Sequence, residues 1–257
     1  MVIKKNSYHN YLSFASVLLI LIPLGLISGP FLPDLFIVLI SFIFLFIFNK
    51  NNELLSLKSN YFRLFLCFYI YLVLTSVLSD NFYESIKPSL TYIRFGFFSL
   101  AVVFILKNKK DFIKHFYLMI CFAFIILIFD GYFQFITGKN ILGFRNHLRP
   151  DRLSSLFLDE LILGSYLGKF LPIFCTFYLL NKGYFNKYYI LTLVILTYIL
   201  IFLSGERAAF FTTTLYLIMV TPFLIGIKRA IILFVLIGTM FGALISTNKN
   251  IKSRYVD

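Results

Sequence analysis

Nine uninterrupted apolar runs mark the chain, at 11–29, 31–48, 61–79, 88–106, 112–136, 161–180, 188–203, 208–226 and 229–247. Each is long enough to be read as a helix crossing a hydrocarbon core of about 30 Å. The runs are apolar throughout rather than alternating, which predicts helices and excludes barrel strands. A helix also satisfies its own backbone hydrogen bonds where no water is present. The expected fold is therefore all-α, a polytopic transmembrane helical bundle of nine spans with residues 1–257 as a single domain. Composition agrees, because 60% of the 257 residues are hydrophobic and 14% are charged. A soluble chain of this size cannot bury so much apolar side chain.

Lys4 and Lys5 precede the first run, but Leu26-Ile27-Ser28-Gly29-Pro30 is a poor cleavage site, so this run reads as a retained first span. Of the 24 Lys and Arg residues, thirteen fall in the N-terminal segment and alternate loops: Lys4, Lys5, Lys50, Lys58, Arg63, Lys107, Lys109, Lys110, Lys114, Lys182, Lys187, Lys228 and Arg229. The first two loops of the opposite side hold one cation, Lys87. The positive-inside rule then makes the N-terminus cytoplasmic. Most of the formal charge of +13 is thus an orientation signal and not a nucleic-acid signal.

The loop over 137–160 breaks this rule. It falls on the outer side by alternation, yet holds Lys139, Arg145, Arg149 and Arg152. A second polar segment, 248–257, reads as the start of a further outer loop. Charges inside the runs gather toward the same leaflet as the long loop. Arg94 and Asp130 lie about 9 Å below that face and Lys169 about 12 Å, at 1.5 Å per residue. Glu206 and Arg207 occupy the tight outer turn between the seventh and eighth runs. Lipid-snorkelling side chains or an Arg94–Asp130 ion pair would account for some of these charges. As a set they point to a water-accessible cavity that binds an anion, with Arg94 and Lys169 among its lining residues.

The densest polar stretch is Arg145-Asn146-His147-Leu148-Arg149-Pro150-Asp151-Arg152. Guanidinium groups hold phosphate oxygens bidentately and stay charged at any relevant pH. They would stabilise the charge that grows on a departing diphosphate; the alternative is binding to lipid head groups. His147 is a candidate base. Asp159 and Glu160 are expected to open the next helix, where carboxylates favour the dipole. Of the two, Glu160 is the candidate for activating a hydroxyl. No nucleotide-binding loop, spaced carboxylate pair or HExxH is present. Cys67, Cys121 and Cys175 are widely separated within apolar runs and read as buried hydrophobes, not as metal ligands or a disulfide framework. Gly164-Ser165-Tyr166-Leu167-Gly168 and Gly238-Thr239-Met240-Phe241-Gly242 fit GxxxG, a signature of close helix packing.

Two of these segments resemble those of the bacterial O-antigen ligase and O-antigen polymerase superfamily. They are Arg152-Leu153-Ser154-Ser155-Leu156-Phe157, running into Asp159-Glu160-Leu161-Ile162-Leu163-Gly164-Ser165-Tyr166, and the turn Ser204-Gly205-Glu206-Arg207-Ala208. They occur in the family's order, with one hairpin of helices between them. The likeness covers residues 140 to 215. The usual RPxG glycine is replaced around Ser155, and the family's later periplasmic loop with its histidine would lie beyond Asp257. The chain is accordingly expected to be an N-terminal portion, inactive by itself if that histidine is the base.

The resemblance implies a glycosyltransferase of the bacterial inner membrane with its active site facing the periplasm. Its donor would be a glycan on undecaprenyl diphosphate. Its acceptor would be lipid A–core or a growing glycan, in lipopolysaccharide or surface polysaccharide synthesis. The implied chemistry is displacement at the anomeric carbon without metal or other cofactor. By the resemblance Arg152 and Arg207 would hold the diphosphate; Glu160, Arg145 and Arg149 join them from the reading of the loop, and Arg94 and Lys169 would be auxiliary on the membrane-charge argument alone. The rival reading is a transporter or flippase of lipid-linked sugars, whose usual internal hydropathy repeats and interrupted helices are not evident here.

Overall fold

The computed structural model describes residues 2–51, 60–145, 152–180 and 186–247, and every secondary-structure element among them is helical. The elements are α1 (Val2–Ile27), α2 (Phe31–Asn51), α3 (Asn60–Val77), α4 (Phe82–Thr91), α5 (Ile93–Asn108), α6 (Phe112–Thr137), α7 (Leu163–Leu180), α8 (Lys187–Ser204), α9 (Arg207–Ile225) and α10 (Ile227–Thr247). A single 3-10 turn, Ser155–Phe157, precedes α7. Among the described residues, six stretches are long and apolar enough to cross a membrane: Asn10–Ile27, Asn60–Val77, Phe82–Asn108, Phe112–Thr137, Leu163–Leu180 and Arg207–Ile225. Phe31–Ile47 and Tyr188–Ser204 are apolar but shorter. The segment 248–257, with Lys58 and Lys182, lies outside the described residues.

Large apolar side chains face outward along the helices. Phe42 (66% exposed), Leu64 (75%) and Phe129 (66%) stand away from the protein on mid-helix positions. Water would penalise such a surface and lipid does not. Cys67 is among the outward residues and Cys121 is half-buried, so only Cys175 is the buried hydrophobe expected of all three.

Besides α1, which begins at Val2 and not at 11, two differences from the sequence reading bear on the site. The run at 88–106 belongs to a longer helical stretch that starts at Phe82 and breaks at Tyr92, where Tyr92 N–H bonds Ser89 O at 3.2 Å and Phe95 N–H bonds Tyr92 O at 3.0 Å. These i→i+3 bonds tighten the backbone one turn after Pro88, whose ring cannot continue the regular ladder. Arg94 is therefore the second residue of α5 and Lys87 lies within α4. The other difference is at α7, which begins at Leu163 and not at 161. Asp159 and Glu160 stand ahead of it, exposed, and do not open it.

The chain forms two compact units, Met1–Met119 and Ile120–Asp257, the boundary falling within α6. In the first, Leu12 and Ala15 of α1, Ile40 and Phe44 of α2 and Phe104 and Ile105 of α5 form one buried cluster. Gly96 lets α5 approach α3, since a methyl group there would sit 2.2 Å from the Phe65 ring. Lys109 Nζ donates to Ser13 Oγ at 2.8 Å.

In the second unit α6 packs on α7 through the stacked rings of Phe124 and Phe174, 5.7 Å apart. It packs on α8 through Gly131, where a Cβ would lie 2.8 Å from Leu200, and through Tyr132 Oη donating to Leu196 O at 3.0 Å. Phe202, Phe210 and Phe241 join α8, α9 and α10, the Phe202 and Phe241 rings being 4.0 Å apart. α8 ends at Gly205, whose φ of +78° is the left-handed cap that reverses the chain into α9. Of the two GxxxG segments, Gly164 and Gly168 are pressed against Ser204, Glu206 and Thr213. Gly238 and Gly242 meet nothing described within 4 Å, so close packing holds for the first segment only.

Candidate functional site

The last turns of α6 anchor the loop that follows. Asp130 lies seven residues before the end of α6, about 10 Å along the axis, and is fully buried. The loop returns down the helix to meet it. Asp130 Oδ1 accepts the backbone N–H of Ile141 at 2.7 Å, and Oδ2 accepts the Ser155 hydroxyl at 2.5 Å. One turn further along α6, on the same face, Gln134 Oε1 accepts the N–H groups of Ser154 at 3.1 Å and Ser155 at 2.7 Å. Asn140 completes the cluster, donating from Nδ2 to Ser155 O at 3.1 Å and accepting Phe144 N–H at 2.7 Å. Asp130, Gln134, Asn140, Ser154 and Ser155 are all buried. Irregular backbone beside a membrane helix needs such partners, because an unpaired N–H there costs several kcal/mol, on the order of 4.

Ser155 adopts a φ of +53°, a left-handed conformation that disfavours side-chain-bearing residues. The bonds from Asp130, Gln134 and Asn140 converge on its hydroxyl, amide and carbonyl and hold it there.

Arg152, three residues upstream of Ser155, is half-buried, and its Nε is fully buried with no hydrogen-bond partner among the described residues, a state it shares with Arg94 Nε. Ser154 Oγ is likewise buried without a partner among the described residues. Downstream, Phe157 lies against the Tyr166 ring of α7 at 5.4 Å, which seats the segment on the start of that helix.

The same end of α7 receives the turn between α8 and α9. Glu206 Oε1 accepts Gly164 N–H at 2.6 Å and Oε2 accepts Ser165 N–H at 3.0 Å. The Ser165 hydroxyl also donates to Oε2 in a very short bond. This carboxylate therefore caps α7, the role expected of Asp159. Glu206 makes no side-chain cap on its own helix, so Arg207, exposed at the first position of α9, stands at an N-terminus that already carries partial positive charge. A cation there opposes the helix dipole, and an anion would relieve both.

The predicted residues divide accordingly. The segments bearing Arg152 and Arg207 flank one end of α7, with Glu160 exposed three residues before it. Arg145 is exposed on the same loop, while Arg149 and His147 lie outside the described residues. Lys169 is exposed on α7, six residues beyond its start. Arg94 belongs to the first unit, where its guanidinium donates to Asp34 Oδ2 at 2.9 Å and lies 5.1 Å from the Phe95 ring centroid. The acidic partner of Arg94 is thus Asp34 of α2 and not Asp130, whose oxygens serve the loop. Among the described residues no group of His, Cys, Asp and Glu side chains is arranged to hold a metal.

Gln134, Asn140 and Ser154 did not stand out in sequence, and Ser155 did so only as the position near which the RPxG glycine is replaced. The available signal was Asp130 with Gln134 four residues later in an otherwise apolar run, a pairing that puts two polar groups on one helix face. No family model matches the chain, and neither a curated protein nor a solved structure matches it.

Proposed function

We propose that the chain is a membrane glycosyltransferase of the O-antigen ligase or polymerase type, or the portion of one that holds the donor. It acts on a glycan carried by undecaprenyl diphosphate, with lipid A–core or a growing glycan as acceptor. Its nine apolar helical stretches cross the bacterial inner membrane, the N-terminus is cytoplasmic, and the site faces the periplasm. The observation that carries this reading is the Arg152 guanidinium, half-buried, whose fully buried Nε has no partner among the described residues, on a segment that meets the same end of α7 as the Arg207-bearing turn. A buried cationic donor without a partner is costly, and a ligand oxygen supplies what is missing.

In the proposed reaction Arg152 and Arg207 bind the donor diphosphate. The acceptor hydroxyl attacks the anomeric carbon as the bond to the diphosphate oxygen breaks, and the arginines stabilise the negative charge left on that oxygen. Glu160 takes the hydroxyl proton, Arg145 and Arg149 extend the anion-binding surface, and Lys169 is auxiliary. No metal is required, because the guanidinium groups supply the positive charge. The test is transfer of glycan from a purified undecaprenyl-diphosphate donor by reconstituted protein, with and without chelator. Arg152→Ala and Arg207→Ala should each lower turnover by about 10²-fold or more. Undiminished transfer by the double variant would contradict the mechanism.

A further inference from the structure

We infer that Gln134 and Asp130 are positioning residues for Arg152, acting through the backbone of Ser155; the inference rests on the reading of Arg152 as a diphosphate ligand. Every side-chain oxygen of the two residues already accepts from the loop. Both Asp130 oxygens accept from the loop, and Gln134 Oε1 accepts from two consecutive amides. What they act on is one residue. Ser155 is held at its hydroxyl by Asp130 and at its N–H by Gln134, in a backbone conformation it would not otherwise prefer.

The consequence reaches Arg152 along a short tether. With Ser154 N–H and Ser155 N–H both fixed to Gln134, Arg152 is separated from a pinned amide by Leu153 alone, and Leu153 is itself buried. The backbone is therefore set before the ligand arrives, and the guanidinium keeps a buried Nε without a partner among the described residues. Preorganisation of this kind lowers the ordering cost of binding an anion. Release of the loop would leave Arg152 in the protein but no longer aimed.

The chain contains no tryptophan, so Leu156→Trp is a single-site reporter of the loop. In full-length Leu156→Trp protein in nanodiscs, two quantities are read: acrylamide quenching of the tryptophan and affinity for undecaprenyl diphosphate. Gln134→Leu removes the shared acceptor and should raise quenching and weaken binding about tenfold or more. Gln134→Glu, kept protonated by burial beside Asp130, retains a carbonyl acceptor and should recover most of both losses. Should Gln134→Leu fail to fold, Ser155→Ala and Ser155→Gly give the same comparison. Both lose the hydroxyl, but only glycine takes the left-handed conformation freely, so Ala should bind about tenfold more weakly than Gly.

Arg152→Ala separates the two levels of argument. Binding lost with Arg152→Ala but unchanged with Gln134→Leu, or equal in Ser155→Ala and Ser155→Gly, overturns the positioning role and leaves the diphosphate reading standing. Binding unchanged with Arg152→Ala overturns both.

Discussion

The carboxylate of Glu206 accepts the backbone N–H of Gly164 at 2.6 Å, so the first turn of α7 is capped by a residue 42 positions later in the chain. The contact joins the α8–α9 turn to the start of α7 and places the neighbouring Arg207 at that end of the helix. It also explains the lack of a side chain at Gly164, where a Cβ would lie 2.6 Å from Ser204 Oγ and 3.1 Å from Glu206 Oε1.

Replacing Glu206 by Ala leaves the Gly164 and Ser165 amides without their acceptor. Charge-assisted bonds of this type contribute about 1.5–3 kcal/mol each. With Glu206 half-buried and water able to substitute in part, a net loss of about 2 kcal/mol is expected. Gln should cost less, since its carbonyl oxygen still accepts. Thermal unfolding of the variants in one detergent measures the difference.

Gly164→Ala and Gly168→Ala test the packing of α7. The second would place a methyl group 2.7 Å from Thr213 Oγ1. Each should cost about 1–3 kcal/mol by overpacking. Gly238→Ala meets nothing within 4 Å and should be neutral or stabilising by up to about 1 kcal/mol. Equal melting shifts for Gly164→Ala and Gly238→Ala would show that the α7 contact is not tight.

Arg94 and Asp34 form an ion pair whose side chains are 30% and 51% exposed. Exposure screens the attraction, so a double-mutant cycle should give a coupling of at most about 1 kcal/mol. A larger value would mean that the pair is sequestered from water in the membrane.

Orientation is open to chemical labelling. In a background with Cys67, Cys121 and Cys175 replaced by Ser, Leu142→Cys and Lys110→Cys supply exposed thiols on opposite sides of the expected topology. An impermeant maleimide added to intact spheroplasts should label the first and spare the second. The reverse pattern would invert the protein.

The helices were legible because continuous apolar runs have few other solutions in lipid, and most boundaries fell within a few residues of the runs. The break at Tyr92 was not, since Pro88 marks the neighbourhood of a kink without fixing the residue that absorbs it. The site was half legible. Asp130, Arg152 and Arg207 stood out as charges in or beside apolar runs. Ser155 and Gly164 were marked only by a replaced family glycine and a GxxxG segment, and the contacts that give them their roles lie 25 and 42 positions away. Asp159 fitted a local capping rule that the longer-range Glu206 contact supersedes.

The central claim is that Arg152 and Arg207 together hold a lipid diphosphate. Equilibrium binding of undecaprenyl diphosphate to the reconstituted chain, with undecaprenol as the uncharged control, tests it most directly. The wild type should prefer the diphosphate, and Arg152→Ala/Arg207→Ala should lose about 10²-fold or more in affinity for it with no change for undecaprenol. Equal affinity of wild type and double variant for the diphosphate would contradict the account.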